Sequence, residues 1–139
     1  MNNINRFLFY LVLVLLLAIS CNEEEIKPIE TDPKKAILGK WEAFGTGNWP
    51  QITYVDKSLG YIRFYEDSIL KEYDYEKQEY VNQIKYYIDD SLIYFNYSYE
   101  NGELSIPRKY EFLSKNQILR LDYIDMFGSY NTSVYKRIN

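Results

Sequence analysis

Between Gly39 and Ile138 the chain is written in short runs of Tyr, Ile, Phe and Leu that recur at the spacing of short strands. Ile62 and Phe64 alternate with Tyr61, Arg63 and Tyr65, and Ile84, Tyr86 and Ile88 alternate with Lys85 and Tyr87. A period of two places one set on each face of a half-buried strand. "SLIYFNYSYE" is two-sided, with Ile93, Phe95, Tyr97 and Tyr99 on one face and Leu92 and Tyr94 on the other. Between the runs, Glu66-Asp67-Ser68, Asp89-Asp90, Glu100-Asn101-Gly102 and Ser114-Lys115-Asn116 carry hairpin-turn chemistry. The pattern predicts strands over 39–45, 60–66, 69–76, 82–88, 91–99, 107–113, 117–125 and 132–138, with no long amphipathic helix between them. Consecutive hairpins leave edges that closure removes. The expected fold is therefore all-β, a small eight-stranded up-and-down antiparallel barrel.

Ahead of these runs the pattern changes twice. Phe7 to Ile19 is apolar apart from the Tyr10 hydroxyl and follows the basic Arg6. As a helix this run reaches about 20 Å, short of the roughly 30 Å hydrocarbon core, which is the length of a signal-peptide segment rather than a span. "NEEEIKPIETDPKK", residues 22–35, is charged, holds two prolines and reads as a disordered tether. Near its end Asp32 is an N-cap with Pro33 at the first helical position, predicting a short turn over Pro33 to Leu38 that Gly39 stops. The chain divides into a signal peptide helix (1–20), a cysteine with a flexible tether (21–35) and the barrel (36–139).

A chain of 139 residues suits one domain of ordinary size. A net charge of −4 without a clustered basic face sets nucleic acid aside. Histidine is absent and Cys21 is the only cysteine, so the commonest metal ligand, the commonest general base and any intrachain disulfide are missing. The adjoining carboxylates Glu66-Asp67 and Asp89-Asp90, and those at Asp122 and Asp125, read as turn acids. With no phosphate loop or nucleophile elbow, the expectation is a protein without catalysis, cofactor or metal. Sixteen tyrosines, of which only Tyr10 lies in the leader, suit strands with half-buried faces. The longest connection, residues 44–60, holds Trp49 and Pro50.

Two stretches resemble known families. Ala18-Ile19-Ser20-Cys21 resembles the lipobox of bacterial lipoproteins. That resemblance implies a diacylglyceryl group on the Cys21 thiol, cleavage before Cys21, and acylation of the new amine by palmitate or a similar chain. Several acyl chains make a firm anchor where one is marginal. Asn22-Glu23-Glu24-Glu25 resembles the export signal of surface lipoproteins in Bacteroidetes-type bacteria, implying an outer-membrane protein displayed at the cell surface. Gly39-Lys40-Trp41 in "ILGKWEAF" matches the G-x-W motif of lipocalins, and Arg137 in "SVYKRI" matches the arginine that packs over its tryptophan. The chain thus resembles a Bacteroidetes-type lipoprotein with a lipocalin-like domain. The resemblance implies a barrel plugged at one end by Trp41, with ligand-facing residues at Trp41, Phe64, Tyr86 and Phe95 and with Trp49 near the mouth. An eight-stranded barrel either holds one small ligand or is filled by its own side chains. The first case makes the protein a carrier of a small apolar or amphipathic ligand. The second makes it an accessory module whose outer surface meets an envelope protein or glycan. Asp67-Ser68-Ile69 and Asp90-Ser91-Leu92 also resemble the Asp-Ser/Thr-apolar pattern of O-glycosylation in these bacteria.

Overall fold

The computed structural model describes residues 29–100, 102–124 and 130–139. Phe7 to Ile19, Cys21 and Glu23 to Glu25, which carry the leader, anchor and export readings, lie outside these residues. Among the described residues no helix is long and apolar enough to cross a membrane.

The first ordered feature is α1 (Pro33–Ala36). Asp32 is extended, and its carboxylate accepts the Lys34 N–H at 2.9 Å, as an N-cap does. Ala36 and Ile37 are buried, so this turn is seated on the barrel and the Pro33–Lys35 end of the expected tether belongs to the folded unit.

Nine strands follow among the described residues: β1 (Gly39–Asn48), β2 (Gln51–Tyr54), β3 (Gly60–Phe64), β4 (Ile69–Asp74), β5 (Glu79–Ile88), β6 (Leu92–Tyr99), β7 (Gly102–Leu113), β8 (Ile118–Ile124) and β9 (Tyr130–Ile138). All pairings are antiparallel. The ladder runs β1-β3-β4-β5-β6-β7-β8-β9 and closes where Lys40–Gly47 of β1 pairs with Thr132–Ile138 of β9. Eight strands make the ring. β2 is the ninth, inside the stretch expected to be a loop, and it pairs only with Gly45–Asn48 at the far end of β1. β7 also begins earlier than expected, at Gly102. Pro107 is tolerated inside it because β7 pairs with β8 only from Lys109 onward, so a missing N–H on that side breaks no ladder bond.

The ring has one seam. β5 and β6 pair only over Lys85–Ile88 and Ile93–Asn96, and beyond Ile84 and Tyr97 the strands part. Two bulges, between Ala43 and Gly45 and between Glu72 and Tyr73, bend the wall. The core fills the end of the ring beside α1, where Ile37, Trp41, Phe64, Leu70, Ile88, Ile93 and Leu119 are all at most 4% exposed.

Candidate functional site

The closed end is built around Trp41. Its ring is fully buried, its Nε1–H donates to the Ile37 carbonyl at 2.7 Å, and the Arg137 guanidinium lies 4.2 Å from the ring centroid. Arg137 also donates to the carbonyls of Leu38 (2.6 Å), Asn116 (3.0 Å) and Ala36. One side chain therefore ties α1, the start of β1 and the β7–β8 turn to the last strand. Gly39 is required beside it: its φ is +112°, and a Cβ there would stand 3.1 Å from Arg137 Nη1.

Phe64, Tyr86 and Phe95 continue this packing. Phe64 meets Tyr86 edge-on with centroids 5.0 Å apart and lies 6.5 Å from Phe95. The Tyr86 hydroxyl donates to the Tyr65 carbonyl at 2.8 Å, and burial pushes its pKa up to about 12. These aromatics fill the closed half against one another. Trp49 lies elsewhere. It is 47% exposed and covers Arg120 at 4.9 Å on the outer wall, where Arg120 also pairs with Glu111 at 2.7 Å and Asp122 at 3.1 Å. The cause is β2, which turns back at the cis Trp49–Pro50 bond and carries the tryptophan outward from the expected mouth position.

Besides spaces of about 440 Å³ lined in part by Phe64 and about 450 Å³ lined in part by Tyr86 at the Trp41 end, there is open space at the other end. A cavity of about 550 Å³ lies between inward-facing Ala43, Ile62, Glu72 and Tyr135 and the segment Val55–Leu59 that follows β2. None of Trp41, Trp49, Phe64, Tyr86 and Phe95 lines it. A second space of about 410 Å³ occupies the seam, lined by Asn82, Gln83, Tyr97 and Tyr99 among others. Asn82 Nδ2 donates to Glu72 Oε2 at 3.3 Å, so one hydrogen bond links the linings of the two spaces. Arg108 also faces inward. It pairs in register with Ile93 and stands over the rings of Phe95 (5.9 Å) and Tyr123 (5.1 Å). The Tyr97 and Tyr135 hydroxyls lie in the fields of both Arg108 and Glu72, and desolvation raises both pKa values. The signal for Glu72 and Arg108 was a charge in the apolar phase of a strand: Glu72 in step with Leu70, Arg108 in step with Ile106, Tyr110 and Phe112.

The outer wall over β3, β4 and β5 carries another group. Tyr61 and Tyr73 stack at 4.9 Å and 14°, with Tyr75 and Tyr80 packed edgewise around them. The Tyr80 oxygen lies 3.2 Å from the Tyr61 hydroxyl and accepts the Tyr65 hydroxyl at 3.3 Å, which with Arg63 favours its ionised form. Arg63 covers the Tyr65 ring at 4.6 Å.

The turn acids cap backbone. Asp89 accepts N–H bonds from Ser91 and Leu92, both at 2.8 Å, which hold its carboxyl below the usual range. Asp74 does the same for Glu76 and Lys77. Asp122 takes the Thr132 hydroxyl at 2.7 Å. No group of three or more potential metal ligands occurs among the described residues.

No family model matches the chain, and no curated protein is similar to it. Among solved structures, the chain is similar to the crystal structure of an uncharacterized protein from Bacteroides eggerthii DSM 20697, with 16% identity and a TM-score of 0.48 over 73% of this chain and 99% of that one.

Proposed function

We propose that the chain is a lipoprotein, anchored through Cys21 in the outer membrane and displayed at the cell surface, whose lipocalin-like barrel binds a small apolar or amphipathic molecule without catalysis. The observation that carries this reading is the cavity of about 550 Å³ at the end of the ring opposite the Trp41 plug. Its size falls within the range of small-ligand pockets, and its walls mix apolar side chains with a few polar groups. The lipobox-like run supports the anchor, and the acidic run after it supports surface display. The test is native mass spectrometry of the full chain after exposure to a membrane lipid extract. A discrete bound mass is expected, lost in Ile62→Trp, which fills the cavity. A clean unliganded mass under every mixture sinks the carrier reading. The anchor has its own check: Cys21→Ala abolishes acyl labelling and releases the protein from membranes, and labelling that persists removes that part.

A second reading has one observation in its favour, the tyrosine wall on β3, β4 and β5. It makes the protein an accessory module for an envelope protein or glycan. Cell-surface crosslinking that depends on Tyr80 but not on Ile62 supports that reading.

A further inference from the structure

We infer that the ligand is an amphiphile with a zwitterionic head group, held between Glu72 and Arg108 inside the ring. This rests on the carrier reading and deepens it. Glu72 and Arg108 both face the interior of the ring with opposite charges, Glu72 lining the 550 Å³ space and Arg108 standing over the Phe95 ring, yet the ion pairs formed among the described residues are Arg120–Glu111, Arg120–Asp122 and Lys136–Glu42. Two opposite charges inside one barrel that do not close on each other leave a place for a group that carries both. The phenols of Tyr97 and Tyr135 lie within the field of both charges, Tyr135 lining the space beside Glu72 and Tyr97 the seam beside Asn82. Those hydroxyls suit the anionic half of a head group, beside Arg108. The ammonium half then meets Glu72, whose Oε2 is already oriented by Asn82.

The two cavities give such a ligand its shape. The space lined by Ala43, Val55, Leu59 and Ile62 takes the apolar tail. The Glu72–Asn82 pair marks where that space approaches the seam, and Asn82 and Tyr97 line the seam from inside. The seam lining also includes Gln83, Lys85 and Ser98 from the outer face of the same strands, so this space has walls from both faces. A polar head on that side reaches Glu72 and Arg108 while the tail stays in the mouth.

The test uses the full chain in an amphipathic polymer, titrated below the micelle point with four probes sharing a dodecyl tail: phosphoethanolamine, phosphate, amine and maltoside. The phosphoethanolamine probe is expected to bind at least about ten-fold tighter than the other three, about 1.4 kcal/mol. Glu72→Gln is expected to erase its advantage over the phosphate, and Arg108→Gln its advantage over the amine. Equal binding of all four probes overturns the head-group inference and leaves the carrier reading intact. Phosphate or amine alone matching phosphoethanolamine overturns it as well, and binding of no probe ends both readings. Should a single variant fail to fold, the double variant Glu72→Gln, Arg108→Gln keeps the wild-type net charge. It is expected to bind the four probes alike, and a retained preference for phosphoethanolamine overturns the inference.

Discussion

Arg137 shows how much one side chain can organise. Its guanidinium donates to three main-chain carbonyls, those of Ala36, Leu38 and Asn116, and its plane covers the buried Trp41 ring. A planar fork with fixed donor directions suits this task, and a lysine ammonium does not. Arg137→Ala leaves those carbonyls without their donor and uncovers the ring. It is expected to destabilise the barrel by about 2–4 kcal/mol, with Arg137→Lys losing roughly half as much. Urea unfolding checks this: the midpoint falls in that order while the slope stays constant. Equal midpoints for wild type and Arg137→Ala would show that the helix cap is held by packing alone. The pair was legible in the sequence through the resemblance of Gly39-Lys40-Trp41 and Arg137 to a known motif, not through periodicity or composition. The charges of Glu72 and Arg108 were present in the sequence too. The inward direction of Arg108 follows from Ile106, Tyr110 and Phe112 in its phase, whereas that of Glu72 was obscured because "ILKEYD" carries apolar residues in both phases, and strand phase decides direction only when one face is cleanly apolar.

At the scale of elements, the hairpins were legible and the exception is informative. The turns at Glu66-Asp67-Ser68, Asp89-Asp90 and Ser114-Lys115-Asn116 all join paired strands. β2 escaped because "QITY" is short and lies between Trp49-Pro50 and a polar stretch, so its neighbours read as a loop. It forms because β1, still paired with β9, runs on past its pairing with β3 and offers β2 the edge left there. Gly47 makes that return possible: its φ is +151°, and a Cβ there would collide with the Gln51 carbonyl oxygen. Gly47→Val is expected to weaken the β1–β2 arm by about 1–3 kcal/mol, the range for strained backbone. The ring does not depend on the arm for closure, since β1 also pairs with β3 and β9. The expected signature is therefore local. Trp49 leaves Arg120, its emission shifts red and its quenching by acrylamide rises, while the strand signal in circular dichroism persists. Trp49→Phe serves as the control, reporting the buried Trp41 alone. Loss of the strand signal in Gly47→Val would mean that the arm and the ring fold as one unit.

For the whole molecule, the tyrosines that build the interior also limit the pH range over which it stands. On the acid side, the Lys136 ammonium at 2.9 Å and the Tyr75 hydroxyl at 2.8 Å hold the Glu42 carboxyl below its ordinary value. That contribution is complete above the ordinary glutamate pKa and is lost as pH falls through the lowered one. The alkaline side involves more groups. Burial raises the pKa of Tyr86 to about 12 and also raises Tyr97, Tyr110 and Tyr135. A phenol with a raised pKa in the folded state keeps its proton where the unfolded chain has lost it. The stability these groups confer is thus intact below about pH 10, the unfolded value, and declines as pH rises toward 12. On the outer wall Tyr80 behaves differently from its neighbours Tyr61, Tyr65 and Tyr75, whose pKa values are also raised: it accepts the Tyr65 hydroxyl beside Arg63 and ionises ahead of the interior without opening the ring. Tyrosinate absorbance at high pH is therefore expected to rise in two stages. The first, which includes Tyr80, leaves circular dichroism unchanged; the second coincides with loss of the strand signal, as the ring opens to release the protons of its buried phenols. Tyr80→Phe removes amplitude from the first stage only. A single stage near pH 10 with the strands intact would mean that the interior phenols reach solvent freely.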